Sequence, residues 1–291
     1  MNHWIDKIPS SLLKESLRLM RVDKPIGTWL LMWPSLWALV AASPGMPDWY
    51  LLGVFAVGAF IMRSAGCVVN DIADRKFDPH VARTKDRPLA AMRISLKSAL
   101  LLLLLLLFIA LFLALQLNFF ALKLCFAGAF LAVTYPFTKR YIHLPQFYMG
   151  TAFGWGVIIA WAAVTGTINP EAWIIFAATL TWAAAYDTIY AMMDREDDLK
   201  IGIKSTAILF GRYDLIAVGI LYLLTLALLA WAGFRLELAT LFYISLGIAF
   251  VQMCWQLWVI RDYPEDKFLA TFLSNKWVGI IIFCGFLFGR A

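Results

Sequence analysis

Nine apolar segments follow one another along the chain, and each is close to the length that crosses a hydrocarbon core of about 30 Å. Inside lipid, a segment of this length satisfies its backbone polar groups by forming a helix. The segments are 26–43, 50–69, 98–116, 119–137, 147–165, 172–192, 215–232, 238–259 and 276–290. The pattern therefore predicts an all-α, polytopic membrane protein with nine transmembrane helices, in which residues 1–291 form a single domain.

The N-terminal 25 residues have a different pattern, because apolar and cationic positions alternate with helical spacing. The apolar side holds Leu12, Leu13, Leu17 and Met20, and the cations are Lys7, Lys14, Arg18, Arg21 and Lys24. This pattern is typical of an amphipathic helix that lies in the membrane interface. A cleavable signal peptide is not expected, since these residues lack its apolar central region.

Composition agrees with this assignment. Charged residues make up 15% of the chain, against roughly 25% in soluble domains, and 62% of the residues are hydrophobic, with a mean hydropathy of +0.76. If the N-terminus is cytoplasmic, all but four of the 25 Lys and Arg lie in cytoplasmic segments. The four exceptions are Arg63, Lys123, Arg235 and Arg290. This asymmetry follows the positive-inside rule, so the net charge of +6 indicates a cytoplasmic collar of cations and not a nucleic-acid interface.

Two aspartate motifs stand at the ends of even-numbered segments. Asp74–Asp78 reads DRKFD and Asp194–Asp198 reads DREDD, so both share the pattern DRxxD. Four predicted helices separate one motif from the other. This arrangement predicts two pseudo-repeats, with motifs at 70–78 and 194–198, whose carboxylates meet across a shared cavity. The predicted orientation places both motifs on the cytoplasmic side.

Helical geometry groups the carboxylates of each motif on one face. Asp71, Asp74 and Asp78 lie within about 60° of one another at 100° per residue, although Pro79 disfavours helix at Asp78. Asp187, Asp194 and Asp198 lie within roughly 40°, and Tyr190 is beside them. A single such aspartate would more simply cap a helix or pair with a nearby cation. Two aligned carboxylate faces favour a hard divalent cation such as Mg²⁺.

Cations surround both motifs, and they have two interpretations. They belong to the cytoplasmic collar, or some of them form a clamp that holds a diphosphate together with Mg²⁺. The candidates are Arg75, Lys76, Arg83, Lys85, Arg87, Lys139, Arg140, Arg195, Lys200 and Lys204. Arg63 differs because it lies within the second apolar segment, where ionisable residues are functional candidates. It is expected to bind a substrate anion or to pair with Asp187.

Histidine and cysteine offer no competing metal site. His3, His80 and His143 are isolated in the sequence. The cysteines are scattered through apolar segments without CxxC spacing, which favours buried packing residues over disulfides or zinc ligands. They are Cys67, Cys125, Cys254 and Cys284.

Several segments of the chain resemble the 4-hydroxybenzoate polyprenyltransferases, a branch of the UbiA superfamily of intramembrane aromatic prenyltransferases. The aspartate blocks "MRSAGCVVNDIADRKFD" and "YDTIYAMMDREDDLKIGIKSTAILFG" are similar to the superfamily's motifs, and neither is interrupted by a gap. "LMRVDKPIGTWLLMWPSLWAL" and "TYPFTKRYIHLPQ" also resemble segments of that family. "VDKPIG" and "DDLKIGIKSTAILFG" point to the ubiquinone-pathway branch.

The resemblance implies nine helices around a central cavity with a cytoplasmic cap. It also implies transfer of a polyprenyl group from polyprenyl diphosphate to the 3-position of 4-hydroxybenzoate, in the bacterial inner membrane. Asn70, Asp74, Asp194 and Asp198 would hold two Mg²⁺ ions that bridge the diphosphate, with Asp71 and Asp78 in the same first motif. The position of Arg140 matches one implicated in substrate binding, and the loop with Arg83 and Arg87 resembles the family's lid.

Three alternatives remain at this point. A transporter would suit an internal repeat. However, coupling sites in transporters lie near the bilayer midplane, whereas both motifs are predicted at the cytoplasmic end of their helices. A structural membrane protein would leave the repeated motifs unexplained. Prenyltransferases of haem, chlorophyll and menaquinone pathways use similar motifs with other acceptors. For the base that removes the ring proton, Asp194, Asp187 and released diphosphate all remain candidates.

Overall fold

The computed structural model describes residues 4–76, 78–80, 84–138, 141–142, 144–202 and 204–290. Eleven α-helices and three short 3₁₀ helices make up its regular structure, with no β-strand among these residues. The α-helices are α1 Ser11–Leu19, α2 Ile26–Ala42, α3 Trp49–Asp74, α4 Leu96–Ala114, α5 Phe119–Thr138, α6 Pro145–Thr165, α7 Pro170–Ile201, α8 Thr206–Phe210, α9 Asp214–Arg235, α10 Thr240–Ile260 and α11 Glu265–Phe288. The prediction of an all-α fold is confirmed.

Nine of these helices correspond to the nine predicted segments. Within the described ranges, eight helical spans are long and apolar enough to cross a membrane, and α2 is a shorter apolar helix of 17 residues. The lipid-facing surfaces of α4 and α5 are mostly exposed and apolar, whereas α7 is largely buried among its neighbours. These features describe a multi-pass membrane protein in which α7 is a central helix.

Most helices pack into one main bundle, and α3 and α4 pack against each other beside it. α7 packs against α6, α9 and α11, and α2 packs against α6 and α11, so these helices form the main bundle. α3 lies against α2 and α4, while α5 lies against α6. A large space remains between α3, α4 and α5 on one side and the main bundle on the other.

α3 and α7 continue past the C-terminal ends of their predicted apolar segments, and each continuation holds motif residues. α3 continues to Asp74, and α7 continues to Ile201, where Gly202 adopts a left-handed conformation and ends the helix. The apolar pattern stops earlier because the last turns of each helix hold polar residues. The second motif therefore lies wholly within α7, whereas the first motif begins at the end of α3 and continues into the turn that follows.

The predicted start of the ninth segment, at residue 276, is wrong. α11 begins at Glu265, which places Lys276 inside the helix and not in a cytoplasmic segment. Polar residues early in α11 hid its start, and two of them, Ser274 and Asn275, have hydrogen-bond partners within the protein. Asn275 is fully buried and accepts hydrogen bonds from Trp182 Nε1 at 3.1 Å and Tyr222 at 3.4 Å. Satisfying such groups internally makes polar residues acceptable within a membrane helix.

The N-terminal amphipathic helix is present as α1, although its burial differs from the prediction. Leu12 and Leu13 are exposed, but Leu19 is fully buried against α3 and the start of α4. Ion pairs fasten the other side of α1: Glu15 accepts from Arg18 and Arg93, the latter at 2.9 Å. The segment before α2 is therefore packed against the protein near the first motif.

Candidate functional site

The first motif occupies the last turns of α3 and the 3₁₀ turn that follows. Asp71 and Asp74 are buried, and Asn70 is half-buried. Asp78 is also buried, but it begins a separate turn, Asp78–His80, because α3 ends at Asp74. The predicted shared face therefore continues only as far as Asp74. The Asp78 turn is held by Thr84, whose hydroxyl donates to the Asp78 carbonyl at 2.9 Å.

Two arginines from different segments neutralise part of this motif. Arg21 donates to Asp71 Oδ1 at 2.9 Å. Arg87 donates to both oxygens of Asp78, at 2.9 and 3.2 Å, and its Nη1 lies 3.3 Å from Asp71. Burial lowers the pKa of the Arg87 guanidinium, but the neighbouring carboxylates outweigh burial and raise it above its ordinary value. Arg87 is therefore a permanent cation within the site.

One carboxylate oxygen of the first motif has no hydrogen-bond partner among the described residues. This atom is Asp71 Oδ2, which is buried. A buried carboxylate oxygen without a partner is costly. Because Asp71 lines the cavity described below, this oxygen marks a place where a cation or a donor group from a ligand is accommodated.

The second motif lies along the last third of α7. Asp187 and Tyr190 line the cavity. Asp194 and Asp198 lie about one and two turns beyond Tyr190 on the same helix, and both are half-buried. The ring of Tyr190 packs on Phe272 of α11, with centroids 4.8 Å apart. The predicted face of Asp187, Asp194 and Asp198 is thus carried by one continuous helix.

Tyr135 on α5 brings the two motif helices into one site. It lies within electrostatic range of Arg63 and Asp74 from α3 and of Asp187 and Tyr190 from α7. Asp74 of the first motif and Asp187 of the helix that carries the second motif therefore both lie near Tyr135.

Arg63 is held at this site by the close approach of α2. A Cβ atom on Gly27 would lie 2.0 Å from Arg63 Nε, so only glycine leaves room for the guanidinium in this position. Arg63 Nη1 also donates to Cys67 Sγ one turn away. The side chain therefore stays in the protein and does not extend to the membrane surface.

A cavity of about 1400 Å³ lies next to these groups. Its walls come from α2, α3, α4, α5, α6, α7 and α11. Polar residues at one end include Arg21, Arg63, Asn70, Asp71, Arg87 and Asp187. Most of the remaining wall is apolar, with residues such as Leu107, Leu111, Phe126, Phe153 and Trp155. The cavity therefore joins a charged end to a long apolar chamber, which suits an amphiphile with an anionic head.

The donor set at the charged end fits Mg²⁺. Among the described residues, no group of three His, Cys, Asp or Glu side chains is close enough to hold a metal by itself. Mg²⁺, however, is usually bound by one or two carboxylates together with waters and substrate phosphates. Asn70 and Asp71 from α3 and Asp187 from α7 supply hard oxygen atoms to the cavity, and Asp71 Oδ2 has no partner in the part of the chain that the structure describes.

The remaining predicted residues fall into three groups. Arg83, Lys139 and Arg140 lie outside the described residues. Arg75 is exposed at the end of α3, and Lys204 donates to the Tyr141 carbonyl at 3.0 Å. Arg195 pairs with Asp214 at the start of α9.

Sequence reasoning missed several residues of the site, namely Arg21, Gly27, Tyr135 and Asp214. Gly27 and Tyr135 lie in the segments "VDKPIG" and "TYPFTKR", and Arg21 and Asp214 are charged residues near predicted helix starts. Nothing in the local pattern indicates their partners. Their roles depend on contacts between distant parts of the chain.

The sequence of the chain matches a known protein family and two proteins that bear a functional name. The model of the UbiA prenyltransferase family matches residues 31–280. A protein named 4-hydroxybenzoate octaprenyltransferase from Chromohalobacter salexigens is 50% identical over 95% of this chain and 94% of its own length. A protein of the same name from Thiobacillus denitrificans is 51% identical, over 92% of each chain.

Solved structures share the fold. A UbiA homolog from Aeropyrum pernix K1 superposes with a TM-score of 0.79 at 27% identity, covering 91% of this chain and 97% of that one. A UbiA homolog from Archaeoglobus fulgidus, bound to GPP and Mg²⁺, has a TM-score of 0.64 at 18% identity and covers 92% of this chain and 99% of its own. At that identity the second likeness concerns the fold alone.

Proposed function

Because the chain belongs to the UbiA prenyltransferase family, we propose that it transfers a polyprenyl group from polyprenyl diphosphate to the 3-position of 4-hydroxybenzoate. The reaction depends on Mg²⁺ and is a membrane step of ubiquinone biosynthesis. The observation that carries this proposal is the cavity, which is lined by Asn70 and Asp71 of the first motif and by Asp187 of the helix that carries the second motif, and whose remaining wall is mostly apolar. Relatives about 50% identical over nearly the whole chain bear the corresponding name.

The diphosphate and the prenyl chain of the donor match the charged end and the apolar walls of the cavity, respectively. The diphosphate lies at the charged end, where Arg87 and Arg21 supply positive charge close to the carboxylates. The prenyl chain lies along the apolar walls of α4, α5 and α6. Burying apolar chain contributes about 0.8 kcal/mol per CH₂ group, so a long donor is held mainly by this chamber.

Asn70, Asp74, Asp78, Asp194 and Asp198 are the proposed Mg²⁺ ligands, and the resemblance implies two ions. Mg²⁺ neutralises the leaving diphosphate when it is bound. Arg87 pairs with both Asp71 and Asp78, and Arg21 pairs with Asp71, so two guanidinium groups stand beside the carboxylates of the first motif and are proposed to face the diphosphate. Arg75, Arg83 and Lys204 remain proposed contributors to the diphosphate clamp.

Breaking the allylic carbon–oxygen bond sends its electron pair to the diphosphate and leaves an allylic cation. The cavity keeps water away from this cation, and the rings of Tyr190, Tyr135 and Phe272 present π-faces to it. The ring carbon ortho to the phenol hydroxyl then forms the new carbon–carbon bond. The ring proton leaves to Asp187, to Asp194 or to the diphosphate, which restores aromaticity.

An arginine is proposed to bind the carboxylate of the acceptor, because a guanidinium fits a carboxylate through two parallel hydrogen bonds. Arg140, with Lys139 beside it, is the residue that the resemblance favours. Arg63 is the second candidate, since it lies between Gly27 and the group around Tyr135. The distribution of Lys and Arg supports an orientation in the bacterial inner membrane with the N-terminus and both motifs cytoplasmic.

A transfer assay tests the proposal. Membranes containing the protein are incubated with polyprenyl diphosphate, Mg²⁺ and ring-labelled 4-hydroxybenzoate, and the lipid-soluble product is counted. Label should enter the lipid phase only with Mg²⁺ present, and excess EDTA should stop it. An equal mixture with a dihydroxynaphthoate acceptor measures acceptor choice. Preference for the naphthoate, or full activity in EDTA, would contradict the proposed reaction.

A further inference from the structure

Asp214, at the first position of α9, is a fully buried carboxylate with a complete set of partners. Its Oδ2 accepts from Arg195 Nη2. Its Oδ1 accepts from the Tyr263 hydroxyl at 2.5 Å and from the Leu215 backbone N–H at 2.6 Å. The charge also lies at a helix N-terminus, where an anion is stabilised. Asp214 is therefore a preorganised anchor for a cation.

The cation that it binds belongs to the second motif. Arg195 follows Asp194 directly on α7 and precedes Asp198 by three positions. Residues three apart on a helix are neighbours, so an arginine at this position is within reach of Asp198. The structure instead directs the guanidinium to α9. Arg195 Nε is buried and has no hydrogen-bond partner among the described residues, so the bond to Asp214 is what defines the position of this group.

The two motifs differ in how their arginine and their carboxylates are paired. Its own arginine, Arg75, is exposed, and its carboxylates receive Arg21 and Arg87 from other segments. In the second motif the arginine is half-buried, and a carboxylate from another helix receives it. A cation that pairs with a carboxylate competes with a metal ion for its oxygens, and in the first motif this competition falls on Asp78, both of whose oxygens accept from Arg87.

We propose that Asp214 is a positioning residue for the reaction, which holds Arg195 on α9 and thereby keeps its guanidinium from competing with Mg²⁺ for the carboxylates of the second motif. This inference rests on the proposed function. Without the Asp214 charge, the half-buried guanidinium of Arg195 loses its counter-ion and turns to Asp198, its neighbour on the same helix. The predicted consequence is weaker metal binding, not merely a less stable fold.

Metal binding is measured directly, with Mn²⁺ as a paramagnetic probe for the Mg²⁺ sites. The purified protein in detergent is titrated with Mn²⁺ in the presence of inorganic pyrophosphate, and free Mn²⁺ is quantified by electron paramagnetic resonance. Asp214→Asn should weaken Mn²⁺ binding about tenfold, the lower end of the loss seen for residues that orient metal ligands. Asp214→Asn/Arg195→Gln should restore it to within about twofold of the wild type, since the competing cation is gone.

Arg195→Gln alone should bind Mn²⁺ at least as well as the wild type, and this variant tests the inference even if Asp214→Asn fails to fold. Glu171→Gln is the matched control. It removes the ion pair of 2.7 Å with Arg235 that joins α7 and α9 at their other ends, so it changes the same helix pair without touching the motif. Its Mn²⁺ binding should equal that of the wild type.

Three results would overturn the inference: undiminished Mn²⁺ binding in Asp214→Asn, no recovery in the double variant, or a tenfold loss in Arg195→Gln. A purely structural role for Asp214 predicts the second result, because removing Arg195 would not repair the fold. A wild-type protein that binds Mn²⁺ and pyrophosphate but leaves 4-hydroxybenzoate unmodified would contradict the proposed function instead. The two failures are therefore distinguishable.

Discussion

Arg21 and Asp71 form an ion pair of 2.9 Å between the segment that precedes α2 and the last turns of α3. The Asp71 side chain is 1% exposed and that of Arg21 is 20% exposed, so the pair is largely removed from water. Arg21 lies before residue 31, where the match to the family model begins. The N-terminal segment therefore contributes directly to the site.

This ion pair should be measurable by a double-mutant cycle. Arg21→Gln and Asp71→Asn should each lower the unfolding temperature in detergent, and the double variant should lose less than the sum. We expect a coupling of about 1–3 kcal/mol, because Arg87 remains beside Asp71 and limits the cost of each single change. Lys14→Gln, which removes a cation from α1, serves as the control. If the losses of stability in the two single variants simply add up in the double variant, the ion pair has no coupling energy and does not stabilise the fold.

Gly27→Ala should displace Arg63 without unfolding the protein. The added Cβ would meet the far end of a flexible side chain, at 2.0 Å, so the guanidinium moves and the backbone does not. We expect kcat/KM for 4-hydroxybenzoate to fall by roughly tenfold or more, with little change in unfolding temperature. Gly58→Ala is the matched control, because Gly58 lines the same cavity and its added Cβ would meet nothing within 4 Å. Equal rates in the two variants would remove Arg63 from the site.

Asp74→Asn and Asp194→Asn should each abolish prenyl transfer and weaken ligand-induced stabilisation. Adding Mg²⁺ and pyrophosphate to the wild type should raise its unfolding temperature, since ligands that bind only the folded state stabilise it. Both variants should lose most of this increase while unfolding at a similar temperature without ligand. Asp262→Asn alters a carboxylate that is 80% exposed and should behave as the wild type. A full temperature increase in either motif variant would argue against its role as a metal ligand.

Arginine-to-lysine changes should identify the group that binds the acceptor carboxylate. Lysine keeps the charge but loses the planar fork, so the affected variant should lose about 1–3 kcal/mol in transition-state binding. We expect Arg140→Lys to raise KM for 4-hydroxybenzoate while KM for the prenyl diphosphate stays nearly constant. Arg63→Lys is measured alongside it. Should only Arg63→Lys show this separation, Arg63 becomes the carboxylate ligand and Arg140 is excluded.

Thiol labelling of intact cells should establish the orientation in the membrane. In a background without Cys67, Cys125, Cys254 and Cys284, single cysteines at Met46 and Thr167 should react with an impermeant reagent. Both positions are exposed, in the connections close to Asp48 and Asn169. A cysteine at Lys85, near the first motif, should react only after the cells are opened. The reverse pattern would place the N-terminus and both motifs outside the cytoplasm.

The helices and the location of the two motifs were predictable from the sequence, and there is a physical reason for this. Lipid leaves the backbone no alternative to helices in segments of this length, so apolar runs indicate helices directly. The motifs are also local features: spacing along one helix decides that Asp187, Asp194 and Asp198 share a face. The start of α11 was not predictable, because Asn275 is acceptable there only through its bonds to Trp182 and Tyr222.

By itself, then, the sequence determined the class of fold, the number of long helices and which carboxylates of α7 share a face. Only the tertiary structure decided which charge meets which. Arg21 reaches Asp71 across fifty positions of the chain, and Arg195 turns to Asp214 although Asp198 is nearer in sequence. Periodicity describes one helix at a time and holds no information about the neighbours that packing brings to it. The energies of buried charges depend on those neighbours, so the tertiary structure decides which cations hold motif carboxylates and which one is held away from them.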